Sequence, residues 1–135
     1  MRTSKLLEAI DEIASNMGIS TFLGDKTLIA TTALEPRSLW ILPPTVSNLD
    51  GTFDSEALYE LEMYYIEFIE TEEEQICQMV DTMGRFAAEV AKHGSIERSS
   101  VRGIEPVSRP MTRYGERSVM IRLGVTVADC EHTFI

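Results

Sequence analysis

Residues 58–94 read LYELEMYYIEFIETEEEQICQMVDTMGRFAAEVAKHG, and two periods within this stretch decide the fold. From Leu58 to Ile69, Tyr59, Leu61, Met63 and Tyr65 alternate with Glu60, Glu62 and Tyr64. This is the two-residue period of a strand with one apolar face and one face that starts acidic. Past Tyr65 the alternation blurs, because Ile66, Phe68 and Ile69 put apolar groups on the other side too. The pattern predicts a strand that runs from a half-solvated edge into a centre covered on both faces. Thr71 followed by Glu72, Glu73 and Glu74 matches a capping box, and the carboxylates complement the positive end of a helix. Ile76, Met79, Val80, Met83, Phe86, Ala87 and Val90 then form one stripe at helical spacing, with Lys92 and His93 in the last turn before Gly94. A long strand over 58–69 therefore leads into a core helix over 72–93.

On the N-terminal side, Leu6, Leu7, Ile10, Ile13, Ala14 and Met17 recur at three- and four-residue steps, predicting an amphipathic helix over 4–17 that Gly18 closes. Thr27–Ala33 (TLIATTA) and Ser38–Leu42 (SLWIL) are β-branched or aromatic runs punctuated by Gly24-Asp25, Pro36 and Pro43-Pro44, and read as short strands. Pro43–Ser55, polar and containing Asp50-Gly51, reads as an exposed loop. On the C-terminal side, Ser95–Val107 reads as an irregular strand carrying Ile96, Val101, Ile104 and Val107 and ended by Pro106 and Pro110. Ser118–Val127 alternates without a break, and the basic, turn-rich SRPMTRYGER between the two predicts a hairpin over 96–127. The expected architecture is one α+β domain spanning residues 1–135, a mostly antiparallel or mixed sheet packed against a long central helix and an N-terminal helix.

Charge is divided along the chain. Ser38–Gly84 carries eleven carboxylates and no Lys or Arg, whereas Arg85–Arg122 carries eight basic and four acidic residues, within a net charge of −10. The basic half is dominated by arginine: Arg98, Arg102, Arg109, Arg113, Arg117 and Arg122. A planar guanidinium pairs with carboxylates bidentately and tolerates partial desolvation, which suits an interface. Arg98, Arg102, Arg109, Arg113 and Arg117, with Glu60 and Glu62 on the acidic strand, are the candidate subunit-interface residues. Two outcomes are open for them: the hairpin folds back on the molecule's own acidic strand, or it meets a neighbouring copy. A pI near 4.6 argues against wholesale adhesion to nucleic acid but is compatible with a wall that repels it.

At 135 residues and 44% hydrophobic content the chain can bury a core without disulfide or metal staples. Cys77 and Cys130 have no CxxC spacing and read as reduced thiols of a cytosolic product. Acids interrupt the apolar positions of the opening MRTSKLLEAIDEIASNMG, so no signal peptide is expected, and no apolar run is long enough for a membrane span. His93 and His132 lie at no metal-ligand spacing, and His93 reads as a cation or donor at a helix C-terminus. Cys130, Glu131 and His132 read as tail residues. Glu60, Glu62, Glu67, Glu70 and Glu72–Glu74 lack an Asp/Asn-Gly ligand loop and read as a solvated acidic face plus a helix start. All eight glycines are isolated, so no phosphate loop or nucleophile elbow is present. No catalytic, cofactor-binding or metal residue is nominated, and no enzymatic activity is expected.

The order of elements, with the acidic aromatic strand LYELEMYYIEFIE entering TEEEQICQMVDTMGRFAAEVAKHG and then SIERSSVRGIEPVSRP and SVMIRLGVTVADC, resembles tail-completion or tail-terminator proteins of tailed bacteriophages. The resemblance is one of pattern over nearly the whole chain and carries no site residue with it. It implies a structural virion protein, made in the host cytoplasm, that forms a homo-oligomeric ring at the head-to-tail junction or tail. Its implied partners are portal, adaptor or tail proteins, with DNA passing through the centre without sequence-specific binding and no membrane involved. The competing expectation is a small dimeric ligand-binding or regulatory α+β domain, with an enzyme third.

Overall fold

A computed structural model describes residues 2–31, 34–48, 57–68, 73–108 and 117–127. Helix α1, Arg2–Asn16, buries Leu6, Ala9, Ile10, Ile13 and Ala14, the stripe expected from its spacing. Its end is a Schellman turn: Ile19 N donates to the Ala14 carbonyl at 2.9 Å and Gly18 N to the Ser15 carbonyl at 3.0 Å. The reversal needs a left-handed residue, and Gly18 supplies it at φ +75°. Strand β1, Ser20–Leu23, follows at once and pairs in parallel with strand β2, Arg37–Ile41.

The segment joining β1 to β2 corrects one sequence expectation. Of Thr27–Ala33, expected as a strand, the described part belongs to a 3₁₀ helix, Lys26–Thr31. Asp25 is the cause: its carboxylate accepts the Thr27 amide at 3.1 Å and the Thr27 hydroxyl at 3.2 Å, while its carbonyl accepts Leu28 N at 3.0 Å. An acidic cap at the start of the segment outweighs the β-branched composition that follows. A second correction concerns the loop expected over 43–55, whose first part is strand β3, Thr45–Asn48.

Strand β4, Ala57–Glu67, is central. Along one side it pairs with β2 from Met63 to Glu67 and with β3 from Ala57 to Glu60, both antiparallel. Between them Leu42 N still bonds the Glu62 carbonyl at 3.1 Å, so Pro43 and Pro44 together stand opposite Leu61. The two strands thus line the same side of β4, interrupted by a proline bulge at which the two prolines lack amide hydrogens. Along its other side β4 pairs with β6, Arg117–Val127, which pairs in turn with β5, Ile96–Pro106. The sheet is mixed and six-stranded, in the order β1-β2-β4-β6-β5 with β3 beside β4. The result is the expected single α+β domain, with the C-terminal hairpin in place.

Helix α2, Glu73–Lys92, lies with α1 on one face of the sheet. Met79, Met83, Phe86, Ala87 and Val90 pack there against Tyr59, Leu61, Met63 and Tyr65 of β4 and Val119, Ile121, Leu123 and Val125 of β6. Thr71 and Glu72 of the predicted capping box lie outside the described residues. On the opposite face, called the outer face below, a smaller cluster of Ile29, Trp40, Tyr64 and Ile66 covers one end of the sheet. Met63 to Glu67 is therefore buried on both sides, as the blurred alternation past Tyr65 predicts.

Arg37 ties the helix layer to the sheet. Its Nη1 donates to the Met17 carbonyl at 3.0 Å, beyond the last turn of α1, and its Nε donates to the Tyr65 hydroxyl at 2.9 Å. Two residues on, Glu67 is a buried carboxylate that accepts Gln75 Nε2 of α2 at 3.4 Å. Arg37→Ala orphans both a helix-end carbonyl and a buried phenol. It should lower unfolding free energy by about 1–3 kcal/mol in denaturant titration, and Arg37→Lys should recover only part of it. A loss within the ~0.5 kcal/mol of ordinary surface changes would show the tie to be dispensable.

Candidate interaction face

The outer face of β4, β6 and β5 gathers polar side chains because register puts them there. Glu60 stands opposite Gly124 and Gly124 opposite Ser100; Glu62 stands opposite Arg122 and Arg122 opposite Gly103; Tyr64 stands opposite Met120 and Met120 opposite Glu105. β5 keeps this register only by two shifts, between Ile96 and Arg98 and between Val101 and Gly103. The second leaves Arg102 as the extra residue, and a bulge re-aims the side chain it inserts.

Arg102 consequently lies across β6. A Cβ on Gly124 would sit 2.6 Å from Arg102 Nη2 and 2.9 Å from its Cζ and Nε, so the guanidinium rests on the strand where only glycine leaves room. From there Nη2 reaches Glu60 Oε1 on β4 at 3.2 Å. Arg122 lies less tightly: its Nη2 would be in ordinary contact, 3.4 Å, with a Cβ on Gly103, and it stands 3.7 Å from Glu105 Oε1. Both pairs are open to water, with side-chain exposures of 44% and 37% for Arg102 and Glu60 and 47% and 56% for Arg122 and Glu105. Glu62 Oε2 accepts the Tyr64 hydroxyl at 2.9 Å.

Of the candidate interface residues, Glu60, Glu62, Arg98 and Arg102 therefore share this face. Arg117 does not: it stands opposite Glu67 and follows the parity of Val119, on the helix side. Arg109 and Arg113 lie outside the described residues. The fold-back outcome is realised at Arg102–Glu60, within one chain. Gly103, Gly124 and Glu105 were missed from sequence, although a glycine inside the otherwise unbroken alternation of 118–127 is itself a signal of close approach.

Elsewhere, a groove of about 430 Å³ between the helices is lined by Glu12, Asn16, Arg85, Glu89, Lys92 and His93, among others. His93 Nδ1 accepts Ser95 N at 3.0 Å, so the ring proton sits on Nε2, which donates to Glu12 Oε2 at 3.0 Å. Cys77 is exposed on α2, and Cys130 and His132 lie outside the described residues. Among the described residues no three His, Cys, Asp or Glu side chains converge as a metal site, and no helix is long and apolar enough to cross a membrane. Compared with known proteins, the chain matches no protein family and no curated sequence.

Two measurements test this geometry. In the wild type, Gly124→Ala must displace the guanidinium, whereas in an Arg102→Ala background the same methyl meets no guanidinium and gains up to about 1 kcal/mol of strand propensity. Denaturation of the four proteins should be non-additive; additivity within ~0.3 kcal/mol would mean that Arg102 does not rest on Gly124. The second is pH dependence. Burial, then Glu62, pushes the Tyr64 phenol up to about 12, with Arg122 acting the other way. Burial also pushes Tyr65 up to about 12, with Arg37 opposing and Glu67 reinforcing it. Since both are raised above the ordinary 10, folding holds the neutral phenol. That stabilisation is complete below pH 10 and is lost as pH rises through about 12. In absorbance titrations Tyr64→Phe and Tyr65→Phe should each remove one phenol ionising near 12.

Proposed function

We propose that this chain is a structural virion protein that assembles as a ring at the head-to-tail junction or tail of a tailed bacteriophage, joining connector components around the DNA channel. The observation that carries the reading is the outer face itself. Its charges are laid flat across three strands, alternate in sign, and stay open to water in the single chain. A flat face of mixed charge suits registration against another protein surface better than enclosure of a small molecule. The chain's pattern resemblance to tail-completion proteins points the same way. A net charge of −10 suits a passage for DNA, since like charge keeps phosphate from adhering.

Portal, adaptor or tail proteins are the partners this reading requires, and neighbouring copies form the ring. Native mass spectrometry across a concentration series should show a discrete closed oligomer that dissociates as added salt screens its charge contacts. Only monomer or dimer at every concentration, with no association with portal, adaptor or tail proteins, would sink the reading. That result would favour the small dimeric ligand-binding or regulatory domain, for which the interhelical groove is the one specific observation.

A further inference from the structure

Helix α2 has a side turned away from the sheet that the single chain leaves uncovered. Met79, Met83, Phe86 and Val90 are buried beneath the helix, while Asp81, Gly84, Ala88 and Ala91 stand exposed on its opposite side. Gly84 is the anomaly. Its φ is not positive, and a Cβ there would meet nothing within 4 Å. Yet glycine is, after proline, the residue least favourable to a helix interior. The folded single chain therefore gives no reason for glycine at this position. With Ala88 one turn on and Ala91 two turns on, Gly84 makes a low strip along which a second helix can approach closely.

The charges beside the strip say what lies on it. Along one flank run Asp81, Arg85, Glu89 and Lys92, alternating negative and positive. Their spacings of three and four residues favour pairing within the helix, but among the described residues none of the four has an ion pair. Read in reverse, the series is its own complement. In two copies of α2 laid antiparallel about a two-fold axis near Ala87, Asp81 meets Lys92 of the partner subunit and Arg85 meets Glu89 of the partner subunit. Gly84 then falls opposite Ala91 of the partner subunit, and Ala88 lies close to the axis. We propose that α2 forms a two-fold contact between copies of this chain, packed antiparallel across this strip with the charged flanks paired. The four charges sum to zero, so this flank does not repel its own copy even in a chain of net charge −10. The groove that Arg85, Glu89 and Lys92 border beside α1 gives the partner's long side chains room. The contact does not depend on the ring reading: it closes at two copies, and where a ring also forms it joins copies in pairs.

Sedimentation equilibrium of the full chain across a concentration series should show reversible pairing. Arg85→Glu and Glu89→Arg each set like charges against one another at two symmetric places, and each should weaken pairing by roughly tenfold. The double variant restores opposite charges across the axis and should recover wild-type pairing. Gly84→Gln should abolish pairing, while circular dichroism and thermal unfolding show a chain at least as stable as the wild type. A wild type that stays monomeric at every concentration overturns the proposal, and so does a double variant that pairs no better than the single ones. Larger oligomers that persist unchanged in Gly84→Gln overturn the helix contact and leave the ring standing. Dimers that vanish in Gly84→Gln, with no larger species in the wild type, support the helix contact and count against the ring.

Discussion

Strand β4 must bury both faces from Met63 to Glu67, and the rest of the molecule is arranged to meet that demand. One roof is the helix layer. The other is the crossover from β1 to β2, whose 3₁₀ helix lowers Ile29 onto Trp40, Tyr64 and Ile66. Phe22 stacks on Trp40 at 6.1 Å, and Trp40 Nε1 donates to the Gly24 carbonyl at 3.0 Å, so the roof is fastened by an aromatic contact and by the indole's one donor. Consecutive tyrosines sit at the centre. Tyr64 faces the second roof and Tyr65 the first, and each takes its hydroxyl to a charged partner, Glu62 or Arg37. A six-residue helical segment cannot span the whole outer face. The uncovered end of β4 therefore carries Glu60 and Glu62, and that is where the candidate interaction face lies.

The same division explains what could be read from the residues alone. The helices, β4 and β6 were legible because each buries a continuous stripe or one full face, and burial writes a period into the sequence. Strands β1 and β3 have four residues each, too few to display one. The 3₁₀ helix was misread because composition spoke for a strand while one carboxylate, Asp25, set the backbone. The interface candidates were gathered by charge, which selects residue types without saying where they meet. Pairing Arg102 with Glu60 depends on two register shifts in β5, and alternation cannot count bulges.

Those bulges also bear on how copies of the chain could meet. Among the described residues β5 pairs only with β6, so it is an edge strand of eleven residues and a natural template for strand addition. Two irregularities, with Arg98, Arg102 and Glu105 exposed along it, break the regular row of donors and acceptors that an incoming strand would need. The opposite edges, β1 and β3, are short. Assembly through side chains on the outer face is thus left open by the architecture, while continuous pairing from copy to copy is opposed by it.

Free energy gives a reason to look beyond the folded monomer for the purpose of this face. An exposed ion pair contributes ~0.2–1 kcal/mol, whereas glycine inside a strand costs roughly 0.5–1 kcal/mol relative to alanine. Gly124 together with Arg102–Glu60 therefore nets close to nothing, and so does Gly103 together with the longer Arg122–Glu105 approach. Stability does not account for the arrangement. What Gly124 does achieve is relief: the Arg102 guanidinium, which a Cβ there would displace, lies down across β6 within reach of Glu60 on another strand. The face is left low and charged in alternate signs. Such properties would suit a surface placed against another surface, as the proposed ring requires.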